Sequence, residues 1–142
     1  MNTNSENPKV GKDFELLVNE WFEKEYDQSF ELYKKIKIGN PPKEHCFDIS
    51  NQKVSIVAEC KCYTWTESGN VPCAKLVCLN EAAFFLSFLP KETKKYIVMK
   101  KSIHKKRTET LAEYYYRRYH HLLNDIHILE YDFDTLKVNI IN

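Results

Sequence analysis

Two short apolar runs, joined by a polar break, hold two acids and a lysine in positions where charge is costly. The runs are Cys46-Phe47-Asp48-Ile49-Ser50 and Val54-Ser55-Ile56-Val57-Ala58-Glu59-Cys60-Lys61-Cys62, and Asn51-Gln52-Lys53 separates them. Apolar runs of this length, bounded by turn residues, predict two strands with a reversal between them. Side chains alternate along a strand, so Glu59 and Lys61 share one face with Val57. The place of Asp48 depends on the reversal. A tight turn at Asn51-Gln52 sets it opposite Ser55, too far from Glu59. A wider loop or a bulge centred near Lys53-Val54 sets it alongside Glu59. In that register two carboxylates and an ammonium group converge on an otherwise apolar sheet. Isolated buried charges need compensation, and a divalent cation between the carboxylates supplies it.

The elements around these strands follow from periodicity. Residues 9–26 read as a helix with Phe14, Leu17, Val18, Trp21 and Phe22 in one apolar stripe, and Glu15 lies on its flank beside Phe22. Residues 29–38 alternate as a half-exposed strand, with Phe30, Leu32, Ile36 and Ile38 on one face, Glu31, Tyr33, Lys35 and Lys37 on the other and Lys34 the one break, until Gly39-Asn40-Pro41-Pro42 stops it. After Lys61 comes a polar and aromatic loop with Tyr63 and Trp65, placed either to stack on bases and line a cleft or to cap the core. A helix from about Pro72 or Cys73 to Leu89 is so apolar that it reads as a largely buried crossover, with Lys75 near its N-terminus. Tyr96 to Met99 reads as a buried strand. Thr110-Leu111-Ala112-Glu113 is a capping box opening a third helix to about Leu123. Residues 126–133 and 136–141, joined at Asp134-Thr135, read as a terminal hairpin or edge extension.

An acid followed by Glu59-Cys60-Lys61, behind a first helix that carries Glu15 and ahead of a helix and a further strand, resembles the PD-(D/E)XK nuclease superfamily of restriction endonucleases and Holliday-junction resolvases. The resemblance covers residues 8–100; Phe47 stands where the motif has proline. It implies an α/β fold with a restriction endonuclease-like core, a central mixed sheet flanked by helices in the order α-β-β-β-α-β. An α-β-β extension over residues 108–141 would complete one domain spanning 1–142. It further implies a metal-dependent endonuclease that hydrolyses DNA. Asp48, Glu59 and the Cys60 carbonyl would hold Mg2+ or Mn2+, Lys61 would act on the attacking water, and Glu15 would support the site. A junction resolvase-like nuclease and a non-catalytic nucleic-acid-binding protein of the same fold are the alternatives. One site per chain implies a homodimer for cutting two strands.

Composition bounds these expectations without choosing among them. Hydrophobic residues make up 43% of 142, with eight Phe and nine Tyr, which predicts a packed globular chain. No apolar run is long enough to cross a bilayer, and Met1 to Asn7 is polar, so a cytoplasmic protein without membrane partners is expected. The formal net charge is only +1, but Lys91 to Arg107 concentrates positive charge. Lys105, Lys106 and Arg107 are therefore candidates, with Lys75, Tyr63, Trp65 and the third helix's Arg117 and Arg118, for phosphate and base contact. Five cysteines, an odd number, read as reduced thiols. Cys60, Cys62, Cys73 or Cys78 with His45 could form a zinc site, but their spacing lacks the usual paired knuckles.

Overall fold

In a computed structural model, described for residues 7–142, the chain forms an α/β fold with an open six-stranded mixed sheet and three helices. The polar start, residues 1–6, lies outside the described part. In chain order the elements are α1 (Asn7–Tyr26), β1 (Phe30–Ile38), β2 (Lys43–Asn51), β3 (Ile56–Lys61), α2 (Cys73–Leu86), β4 (Lys94–Lys100), α3 (Leu111–Tyr119), β5 (Ile126–Asp132) and β6 (Lys137–Ile140). A short 3-10 turn, His120–Leu122, follows α3. Among the described residues no helix is long and apolar enough to cross a membrane.

Strand order follows the chain, β1 to β6. Hairpin pairs are antiparallel (β1–β2, β2–β3, β5–β6), whereas β3–β4 and β4–β5 are parallel because α2 and α3 carry the chain back across the sheet. Each face has its own core. Phe14, Val18 and Phe22 of α1 pack on Ile49, Ala58, Val98 and Leu129. Leu76, Leu79 and Leu86 of α2, with Leu111 and Tyr115 of α3, pack on Val57, Ile97, Met99 and Ile128 of the other face. The capping box is formed at both ends: the Thr110 hydroxyl accepts from the Glu113 N–H, and Glu113 accepts from the Thr110 N–H.

Two expectations fail, each for a physical reason. Phe30, Leu32, Ile36 and Ile38 do not share one core: the first pair packs under α1 and the second pair on the α2 side. Between them Tyr33 takes a left-handed backbone (φ 58°), which is rare for a bulky residue and breaks regular alternation. The α2 helix is not largely buried either. Leu76, Leu79, Ala82, Ala83 and Leu86 face the core, while Val77 (67% exposed) and Phe84 (62% exposed) face outward.

Candidate active site

Asn51 sets the register that brings the acids together. Its side-chain oxygen accepts from the N–H groups of Ser55 (2.9 Å) and Ile56 (3.1 Å), and its amide donates to Ser55 Oγ (2.7 Å) and Gln28 Oε1 (2.9 Å). Val54 adopts φ 56°, and its N–H bonds the Asn51 carbonyl. The reversal is therefore wide and centred at Lys53-Val54. Ile49 pairs with Ala58 and Ser50 with Val57, so the next position along sets Asp48 opposite Glu59.

At that level the ladder changes character. The Asp48 carboxylate, rather than a backbone carbonyl, accepts the Cys60 N–H at 2.8 Å. On its other side β2 pairs with β1 through Leu32–Ile49 and Lys34–Phe47, which leaves Tyr33 opposite Asp48. The Tyr33 hydroxyl donates to Glu15 of α1, and that bond pushes the phenol up to about 12. Burial holds the Glu15 carboxyl above its ordinary range, and Asp48 adds to the rise, while the Tyr33 bond and Lys61 oppose it. Glu15, Tyr33, Asp48, Glu59 and Lys61 thus form one electrostatic cluster from four elements.

Glu59 is the buried member, only 5% exposed. Burial pushes its carboxyl well above the ordinary range; its hydrogen bond and charge contact with Asp48 push the same way, and only Lys61 pulls down appreciably. Two carboxyls in contact cannot both be ionised cheaply. A shared proton or a cation must stand between them. His45 Nε2 lies 3.7 Å from Glu59 Oε1, with its ring stacked on Phe85 at 3.8 Å, and burial keeps the imidazole below its usual pKa. Among the described residues no three of His, Cys, Asp and Glu form a ready cation cage. The donors at hand are the Asp48 and Glu59 carboxylates, with Glu15 in the same electrostatic cluster. That set suits Mg2+ or Mn2+, which keep several waters and need few protein ligands, better than Zn2+. The five cysteines are all free thiols: Cys60 points into the α1-side core, and Cys46, Cys73 and Cys78 are exposed.

An open cleft of about 650 Å³ begins at Lys61 and runs under the loop that follows β3, lined by Tyr63, Thr66, Lys75 and Lys100 among others. Lys75 sits over the Tyr63 ring at 5.2 Å, so both expected residues reach this cleft. Trp65 also lines this cleft, and Arg107 packs against it. Trp65 is 4% exposed in the core, the Arg107 guanidinium covers its ring at 4.3 Å, and Arg107 Nε donates to the Gly69 carbonyl at 2.7 Å. Together with the His104–Glu67 contact (2.8 Å), Arg107 ties the lysine-bearing loop to the edge of the cleft. Lys105 and Lys106 remain exposed on that loop.

The lysine-rich stretch is not one patch. Lys94 and Lys95 lie beside Ile56 and Val57, at the opposite end of β3 from Lys61, and Lys95 is buried in an ion pair with Asp125 at 2.7 Å. Lys101 pairs with Asp132, and Arg117 is held bidentately by Glu109. Sequence reasoning missed Tyr33 and the contact of His45 with Glu59. Tyr33 alternates onto the exposed face, and only the β1–β2 register reveals that it meets Asp48. Compared with protein-family models, with curated proteins and with solved structures, the chain matches none of them.

Proposed function

We propose that this chain is a metal-dependent nuclease that hydrolyses DNA phosphodiester bonds on a restriction endonuclease-like core. One observation carries the reading: the register sets an aspartate opposite a buried glutamate on adjacent strands, and the lysine two residues along the same strand lines a cleft with further lysines. A sheet gains nothing in stability from such a pair, because burying like charges costs free energy unless they bind something.

A bound Mg2+ or Mn2+ would neutralise the carboxylates and offset charge on the phosphate oxygens. Asp48 and Glu59 would hold that cation, with the Cys60 carbonyl as a backbone donor. Asp48 is fixed by the Cys60 N–H, and Glu15 by Tyr33, so neither carboxylate needs to reorganise as charge develops. The Lys61 ammonium orients the attacking water and stabilises the charge that grows in the transition state. Lys75 and Lys100 line the path of the substrate backbone.

Lys61→Ala is accordingly expected to lose turnover by about a hundred-fold or more and to keep its Mn2+ affinity, since the ammonium is not a ligand. Single-turnover cleavage beside calorimetric Mn2+ titration reads the two separately, and equal loss of both would contradict this division. For the cleft, Lys75→Ala with Lys105→Ala and Lys106→Ala is expected to weaken binding to all DNA sequences alike. The slope of log affinity against log salt should become shallower by about one unit per lost phosphate contact. An unchanged slope would remove these lysines from the binding surface. The activity itself is tested by offering linear, branched and single-stranded DNA, and RNA, with Mg2+ or Mn2+. No cleavage of any of them would overturn the reading.

A further inference from the structure

α2 is apolar on both of its faces, which is the composition of a helix covered all round, yet the fold covers only one. The outer face carries Cys73, Ala74, Val77, Cys78 and Phe84 at helical spacing, with Phe88 in the turn just past its end, all exposed and interrupted by a single charge, Glu81. We propose that this face is the interface between two copies of the chain.

Area is the first argument. Val77, Phe84 and Phe88 are 67%, 62% and 47% exposed, which leaves roughly 300 Å² of apolar surface on these three side chains. With Cys73, Ala74 and Cys78 the stripe approaches about 450 Å². A stable interface of ordinary size buries roughly 800 Å² per partner, somewhat over half of it apolar, so the stripe is about what one side of a dimer needs.

Self-complementarity is the second. A two-fold interface sets one surface against itself, so it needs a projection and a hollow side by side. Phe88 stands on the wall of a groove of about 350 Å³, formed with Ile38, Gly39 and Phe85. Lys43 points to the same face as Ile38 and His45 and stands at the groove's rim, in no ion pair among the described residues. Two copies related by a two-fold axis can seat an aromatic ring of each in the other's groove. DNA fits this face poorly, because the apolar stripe bears one acid and no cation beyond Lys75 at its end. The groove also holds His45, which touches Glu59, so the interface would abut the carboxylate pair in each copy. The inference rests on the helix and groove, not on the nuclease reading, and its test needs no cleavage.

Sedimentation velocity at tens of micromolar should give twice the chain mass for the wild type. Phe84→Asp with Phe88→Asp should give the monomer, with an unchanged circular dichroism spectrum because both side chains are exposed. A monomeric wild type, or a dimer that survives the double aspartate variant, would overturn the proposal.

Discussion

Asp48→Asn and Glu59→Gln should each lower DNA cleavage on the order of a thousand-fold while the fold stays intact. The choice of amides follows from the structure. The Asp48 carboxylate is the acceptor for the Cys60 N–H, so Asp48→Ala would strip a partner from a largely buried donor and cost about 1–3 kcal/mol. Asn keeps an oxygen for that bond and removes the charge. Gln at position 59 keeps a donor toward Asp48 and cannot ionise. Cleavage rates beside thermal melts separate the two effects. A variant that melts like the wild type and cuts at more than a tenth of its rate would show that the carboxylate is not part of the reaction.

The second large effect is on stability without metal. The folded-state pKa of Glu59 is raised above its unfolded value by burial and by Asp48. Between those two values the folded state binds more protons than the unfolded state, so unfolding free energy falls as pH rises. The contribution is whole below the ordinary glutamate range and is lost as pH climbs toward the raised value. In the presence of a chelator the melting temperature should therefore drop between pH 5 and pH 8, on the order of 5 °C. Glu59→Gln should flatten that drop. Mn2+ should reverse it in the wild type alone, because the cation takes the place of the proton. A melting temperature that does not fall between pH 5 and pH 8 in chelator would mean that Glu59 meets no such penalty.

Much of this was legible in the chain. Element order followed from period: the helix stripe of Phe14, Val18 and Phe22, the strand that ends at Gly39, the capping box at Thr110 and the hairpin after Asp125 all form in the structure. The meeting of Asp48 and Glu59 was one of two open registers. It turned on Asn51, whose side chain bridges the reversal through bonds that pattern does not encode. Other features depend on partners distant in sequence. Trp65 looks like a loop aromatic until Arg107 and Tyr114 fold over it, and Arg107 looks like a free cation until Gly69 and Trp65 engage it. Tyr33 could not be placed in the site, because alternation assumes regular strands and its backbone is left-handed there. The outer face of α2 misled for the opposite reason: apolar residues on every side show that a helix is covered, not by what.

The account stands on the Asp48–Glu59 pair being a cation site, and calorimetric titration of Mn2+ into the wild type and Asp48→Asn at neutral pH tests that directly. The wild type should bind with proton release, because Glu59 gives up its proton as the cation enters, and Asp48→Asn should lose that binding. A wild type that takes up no Mn2+, or an Asp48→Asn variant that binds it with unchanged affinity and proton release, would contradict it.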